Sequence, residues 1–588
     1  MTETKLARNL QAARIPIPEH HYIFVCIIAA ACSSILWTIL WVCADLVHLT
    51  DIFSAIPKPV LFLAFTLAIP AGVYMFTYFI PSITASGRRS KINLDLPYAI
   101  TYMQALSTTL PLYEIFKSVY ASDDLYGEVS KECGLIVRDV ELFGADLITA
   151  IENTRNTTPS EKFSELLNDL LIVYRSGGDI RTFFNAKSDT YREVAKTELD
   201  SSMQFLEIIA EVYVTLFVAG PIALMIMLVA QSLSGQITIG NLMPIMFIGL
   251  PVGAIMIISV LYLLLPQNNL SIAKKEIRGS EFSPDIVGVG QGTVPPAFVK
   301  KLEQKRVVNR MKSIARHPAM YYSSNYSVSC VLSLILALVT FLMWQSGFLP
   351  VLLHSSSLYL LICLEIIAVM LPVAVAYEIR SRYVSRVEKQ LPEFLREISD
   401  MRDIGMTLQG AIQLIARSKS GVLSSELKLV SKELDYGSSL STALVRMENR
   451  VGITNVKRAI SLLVRASEVT DYIREILAIA VGDLNHYLQM KNKRFNASFA
   501  YVAIVYISFA IFLFTAYVIF GPFIASFSTF NVSFNLAGSV QDMFIVALML
   551  ATFSGIMSGQ MAANSPLAGL KHSIIMLIGT VIMFIYVI

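Results

Sequence analysis

The residues of this chain that could do chemistry are few and do not gather into a reactive set. The six cysteines (Cys26, Cys32, Cys43, Cys133, Cys330, Cys363) form no C-x-x-C pair, and most lie in apolar runs. That pattern suits small apolar packers better than redox or metal chemistry. The seven histidines show no metal spacing, and His20-His21 reads as an interfacial pair. No G-x-x-x-x-G-K-[ST] loop occurs, and no glycine is followed by lysine, so that kind of phosphate cradle is missing. No nucleophile stands in a constellation with a base. The expectation is no catalytic residue, no cofactor and no metal.

Charged residues are the remaining candidates. Glu365 is the one acid deep inside an apolar run, while Glu207 and Glu211 sit at the entry of another and Asp542 at an edge. A buried acid can pair within a helix bundle or grip a partner helix, and without an intramembrane base it supports ion-coupled transport poorly. Arg181, Arg192 and Lys196 fall within about 60° of one another at 100° per residue on a helix. Lys457, Arg458, Arg465 and Arg474 form the comparable group further on. Two readings fit these groups: a contact surface for an acidic protein partner, or a solvated face with local pairs such as Asp189 and Glu193.

The elements that must position these residues are set by composition. Of 588 residues, 55% are hydrophobic and 15% charged, against about 25% charged in soluble domains. Length alone would suggest about four soluble domains, but the apolar excess sits in long runs. With 32 Phe, 25 Tyr and a net charge of +3, disorder and a nucleic-acid-binding arm are excluded. A helix needs about 20 apolar residues to cross hydrocarbon. Nine runs qualify, near 22–44, 58–82, 208–231, 242–265, 327–347, 357–377, 499–523, 541–562 and 570–588. Gly555, Gly559 and Pro566 interrupt the last two, so the count there is open by one. The first run is too long for a secretory signal and ends in no cleavage site. Ala29-Ala30-Ala31-Cys32 only vaguely matches a lipoprotein site, since the apolar run continues past it.

Threading the runs from a cytosolic N-terminus leaves outside loops at 45–57, 232–241, 348–356 and 524–540, none with a Lys or Arg. Lys58 is then the single outward basic residue of 47, as the positive-inside rule requires. The reading is a multi-pass protein of the cytoplasmic membrane, N-terminus cytosolic and C-terminus extracellular. Asn531-Val532-Ser533 is the one sequon on the outside.

The fold class is all-α. The expected organisation is an N-terminal tail with spans 1–2 (1–82), a cytosolic helical domain (83–207), spans 3–4 (208–265), a Gly/Pro-rich and basic linker (266–326), spans 5–6 (327–377), a second cytosolic helical domain (378–498) and spans 7–9 (499–588). In the first domain, Thr158-Pro159-Ser160-Glu161 reads as a helix start capped by Thr158, with Pro159 at the first position and Glu161 completing a capping box. Phe163, Leu166, Leu167, Leu170, Val173 and Tyr174 follow at helical spacing. Ser176-Gly177-Gly178-Asp179 reads as a stop and a new cap, and the next helix runs on toward the third span. In the linker, Gly279 to Pro296 reads as a flexible loop. Lys300, Lys301, Lys305, Arg306, Arg310, Lys312 and Arg316 then read either as a helix on the anionic lipid face or as a positive-inside flank.

The two polar domains repeat each other. Leu96-Pro97 matches Leu391-Pro392, Leu112 matches Leu408, and Gly144 to Ala150 matches Gly437 to Ala443 as G-x-x-L-x-T-A, at offsets of 295, 296 and 293. Each domain lies between two pairs of spans. The chain reads as a parallel duplication plus a ninth span. The copies have diverged in charge: 83–207 carries 13 basic and 19 acidic residues, 378–498 carries 19 and 14, and the linker 10 and 4.

Duplicated helical domains that each run into a span, with G-x-x-L-x-x-A and then Ser176-Gly177-Gly178-Asp179-Ile180, resemble the type II secretion system F domain family. The resemblance covers roughly 94–265 and 391–560. The long form, with about nine spans and a long central loop, resembles its archaeal branch, the archaellum-assembly J proteins among them. At the glycine turn the second copy departs, with Ala466-Ser467-Glu468-Val469-Thr470-Asp471 in its place. The resemblance implies a non-enzymatic membrane platform of an archaellum or type IV pilus. It implies as partners a cytosolic secretion ATPase hexamer, pilin- or archaellin-like subunits, membrane lipids and a second copy in a homodimer, and no nucleic acid. The two basic groups are then the expected ATPase contact. The rival reading is a secondary transporter with parallel repeats, which predicts paired buried charges and small cytosolic loops.

Overall fold

The computed structural model describes residues 5–46, 58–233, 243–264, 305, 322, 326–353, 358–418, 421–469, 473–523 and 536–586. The loop Gly279–Pro296, the linker's basic residues after it except Lys305, the sequon at Asn531, and Thr470 and Asp471 lie outside the described residues. Every described element is helical, and nine of the described helices are long and apolar enough to cross a membrane.

The helices are α1 (Lys5–Ala12), α2 (Glu19–Leu46), α3 (Lys58–Leu106), α4 (Leu112–Ala121), α5 (Asp123–Glu141), α6 (Leu147–Thr157), α7 (Glu161–Arg175), α8 (Ile180–Tyr213), α9 (Gly220–Leu233) and α10 (Met243–Leu264). Then come α11 (Tyr326–Gln345), α12 (Phe348–Leu353), α13 (Leu358–Asp403), α14 (Leu408–Ser418), α15 (Val422–Asp435), α16 (Leu440–Val451), α17 (Thr454–Val469), α18 (Ile473–Val518), α19 (Leu536–Ala563) and α20 (Pro566–Tyr586). The duplication is explicit in this order. Helices α6, α7 and α8 start at 147, 161 and 180, and α16, α17 and α18 at 440, 454 and 473, a constant offset of 293.

Two compact units result: Met1–Arg192 with Arg465–Ile479, and Glu193–Val464 with Ala480–Ile588. In the first unit, α3 changes character along its length. Near Met75, Phe76 and Phe79 its large apolar side chains are exposed, as lipid-facing residues are. From Ile92 onward burial deepens: Ile92 and Leu96 are fully buried, and every residue from Ala99 to Leu106 is buried, the mark of a helix end enclosed by its neighbours. Pro97 lies inside this helix, as Pro392 lies inside α13. A proline leaves the carbonyl four residues back without its helical donor. Those preceding positions, Asn93 and Glu388, tie their helices to the starts of α7 and α17: Ser160 Oγ donates to Asn93 Oδ1 (2.6 Å), and Asn455 Nδ2 donates to Glu388 Oε1 (2.8 Å).

Helix α7 begins slightly later than its sequence suggests. Ser160, not Thr158, is the cap: its Oγ accepts from the Phe163 N–H (3.2 Å), while Thr158 closes α6. The serine is fully buried and held by Asn93, a long-range tie that local spacing does not reveal.

A buried charge cluster fastens the N-terminal segment to this bundle. Glu132 on α5 is 1% exposed and accepts from Arg88 Nη2 (2.5 Å) and Arg14 Nη2 (2.9 Å). Arg88 also donates through Nε to Glu128 (2.8 Å) and through Nη1 to the Ala12 carbonyl. Burial works against the charge of Glu128, but hydrogen bonds from Lys131 and Arg88 outweigh it and hold the carboxyl down to about 2.

In the second unit the membrane helices share one apolar core, with Phe217, Met225, Leu261, Phe512, Ala547, Met561 and Leu577 among its buried members. The expected interruption at Gly555 and Gly559 is instead a close pair of helices. A Cβ on Gly559 would lie 1.9 Å from the Gly569 nitrogen, so only glycine lets α19 and α20 approach this closely. The ladder of α8 continues through a π-helical stretch, Val214–Ala219, into α9, and α18 ends in another at Ile519–Phe523.

Removing Arg88 (Arg88→Met) strands the buried Glu132 charge with one partner fewer. It should destabilise the chain in detergent by about 3 kcal/mol, read as a lowered thermal midpoint. Because the Glu128 carboxyl is depressed, its contribution is complete above about pH 4.5 and fades as pH falls toward about 2. The wild-type midpoint should therefore drop across that window more steeply than that of Glu128→Gln.

Candidate partner-binding surface of the first unit

The glycine turn is built as its sequence suggests. The N–H of Gly178 donates to the Val173 carbonyl (2.9 Å) and that of Gly177 to Tyr174 (3.3 Å), with Gly177 at φ +70°. Asp179 then caps α8, accepting from the N–H groups of Arg181 (3.1 Å) and Thr182 (3.2 Å) and from the Thr182 hydroxyl (2.6 Å). The Thr182 hydroxyl and the two backbone donors hold the Asp179 carboxyl below its usual range. All four residues of Ser176-Gly177-Gly178-Asp179 are exposed.

The repeated G-x-x-L-x-T-A motif has the same physical content in both copies. Gly144 (φ +64°) and Gly437 (φ +86°) take the left-handed turn that glycine alone adopts without cost. Two residues on, Asp146 and Ser439 cap α6 and α16. The final alanines, Ala150 and Ala443, are fully buried.

The basic residues separate. Arg181 is exposed and ion-paired with Glu475. Arg192 is half-buried beside Asp189 (3.5 Å); Lys196, which belongs to the second unit, is exposed and paired there with Glu193 (3.1 Å). The second group does not form one surface. Lys457 is 2% exposed, 3.7 Å from the equally buried Glu448, so its charge is not offered to a partner. Arg458 is half-buried. Arg465 lies in the first unit, where its Nε donates to Ser118 Oγ (3.2 Å). Arg474 is exposed and lines a cleft of about 550 Å³ with Thr108, Thr109, Glu475 and Ala478. Burial by a helix face, which a charge count does not register, removes Lys457. Arg181 and Arg474 stand at the same repeat position and both adjoin Glu475; the 293 offset between the two helix starts gives the equivalence, and the contact with Glu475 is seen only in three dimensions. Away from this surface, Glu365 is half-buried and accepts from the Thr340 hydroxyl (2.9 Å), a pairing within the bundle. Among the described residues no group of His, Cys, Asp or Glu could hold a metal ion.

Replacing Asp179 by alanine should strip the Arg181 and Thr182 N–H groups of their acceptor. Their amide exchange should speed up several-fold in Asp179→Ala and stay near wild type in Asp179→Ser, which keeps a capping oxygen.

Over 510 residues, covering 85% of this chain and 80% of the relative, the chain is 23% identical to the uncharacterized protein MJ1286 of Methanocaldococcus jannaschii. A second uncharacterized protein of that organism, MJ0780, is 28% identical over 136 residues, 23% of this chain and 40% of the relative. No solved structure matches. The model of the type II secretion system protein F family matches twice, at residues 103–228 and 394–521, each time from the end of a long helix through the four short helices and into the next span. The chain is a multi-pass membrane protein that carries two copies of the type II secretion system protein F domain.

Proposed function

We propose that this chain is the non-enzymatic membrane platform of a type IV filament machine, an archaellum or an archaeal pilus. In this reading a cytosolic hexameric secretion ATPase engages the polar bundles, and the spans respond by moving pilin- or archaellin-like subunits out of the membrane. In an archaellum the same coupling would serve rotation. The orientation that goes with it has a cytosolic N-terminus and an extracellular C-terminus, supported by outside loops without Lys or Arg.

The observation that carries the reading is the pair of protein F domains, each ending in a helix that leaves its bundle for the membrane. Helix α8 runs 34 residues without a break, about 50 Å at 1.5 Å per residue. A continuous helix can pass a displacement from a polar bundle toward the bilayer, which needs no chemistry in the platform itself. The exposed arginines Arg181 and Arg474, with Arg192 further along α8, are the proposed ATPase contact of the first unit, and Lys196 is a candidate on the second.

The test uses the full chain in lipid nanodiscs and the secretion-type ATPase of the same organism. Arg181→Glu/Arg192→Glu/Lys196→Glu should weaken binding at least tenfold, and Arg474→Glu should add to the loss. Unchanged affinity with an unchanged thermal midpoint would remove this surface from the account.

A further inference from the structure

We infer that the return helices α8 and α18 form an internal dimer seam, in which residues at the same repeat position face each other with unlike side chains, so that only unlike copies pair there. The observations all lie within the second unit. Asp200 and Lys493 stand 293 residues apart, the offset of the helices that carry them, and form an ion pair at 2.6 Å. Further along the seam, the Tyr501 hydroxyl donates to the Met203 carbonyl (2.9 Å). Beyond that, Glu207 and Glu211 line a cleft of about 630 Å³ together with their own equivalents, Ala500 and Ile504. Tyr213 and Tyr506 are again equivalent, and each bonds to the C-terminal helix pair: Tyr213 donates to Ser554 Oγ on α19 (2.7 Å), and Tyr506 shares a hydrogen bond with His572 Nδ1 on α20 (2.9 Å).

A residue that faces its own equivalent marks a two-fold, self-complementary contact. Here both halves of that contact come from one chain. Had the copies stayed identical, each position would face itself. Two first copies would set Asp200 against Asp200 and bring four glutamates to one cleft, while two second copies would set Lys493 against Lys493. Like charges placed opposite each other penalise the wrong pairing, and an exposed ion pair adds little stability of its own. The charge divergence of the copies thus acts as discrimination. It closes this seam within the chain and leaves any homodimer to other surfaces. The inference is independent of the partner proposed above.

A zero-length carbodiimide tests it on the native chain, because it joins a carboxylate to an amine only where the two already touch. Wild-type protein in membranes should yield the Asp200–Lys493 cross-linked peptide from the monomer band. Two differently tagged chains, one Asp200→Asn and the other Lys493→Gln, should yield none when co-expressed, since each lacks one member. The charge swap Asp200→Lys/Lys493→Asp should restore the cross-link, whereas Lys493→Asp alone should lose it. Absence of the peptide in wild type, its appearance between the two tagged chains at the wild-type level, or failure of the folded swap to restore it would each overturn the seam.

Discussion

Hydrocarbon offers no partner for a backbone N–H or C=O, so every segment that crosses it must satisfy its own ladder. That constraint fixes the spans as helices, and its consequences extend into water. A helix that has already nucleated in the membrane continues at little cost. Thus α3, α8, α13 and α18 each carry their ladder out of the apolar region and become walls of the polar bundles. The bundles are built from membrane helices that have changed their burial pattern. The two π-helical stretches, at 214–219 and 519–523, are the places where the ladder widens, both inside the apolar part of the return helices.

Duplication supplies the second layer of order. The same turn chemistry recurs in both copies, with a left-handed glycine, a cap two residues later and a buried alanine. The charges do not recur. A net of −6 in one polar domain and +5 in the other follows from the residue counts. Part of that difference is used at one named contact, Asp200 with Lys493, whereas Arg181 with Glu475 pairs a base of the acidic copy with an acid of the basic one. The buried clusters serve a different purpose. Glu132 with Arg88 and Arg14, and Glu388 with Asn455, Tyr487 and Lys491, tie distant segments together where single removal is costly.

Much of this is legible in the sequence because membrane helices and glycine turns are local signals. Spans follow from apolar length, and Gly177 and Asp179 act within four residues of themselves. Where local spacing misleads, a long-range contact decides. Thr158 loses the cap of α7 to Ser160 because Asn93, 67 residues away, holds that serine. Lys457 belongs by spacing to a basic surface, yet its helix turns it inward to Glu448. The equivalence of Tyr213 and Tyr506 is present in the sequence, but it emerges only when the 293 offset is carried from the polar domains into the spans.

The central claim is that the chain is a parallel repeat, with both protein F domains on the cytosolic side. Phe143 and Tyr436 occupy equivalent turns and are 72% and 90% exposed. In a background lacking the six native cysteines, Phe143→Cys and Tyr436→Cys can each be labelled with a membrane-impermeant maleimide in inverted and right-side-out vesicles. The account predicts that both sites label in inverted vesicles and neither in right-side-out ones. Labelling of the two sites from opposite sides of the membrane would contradict it.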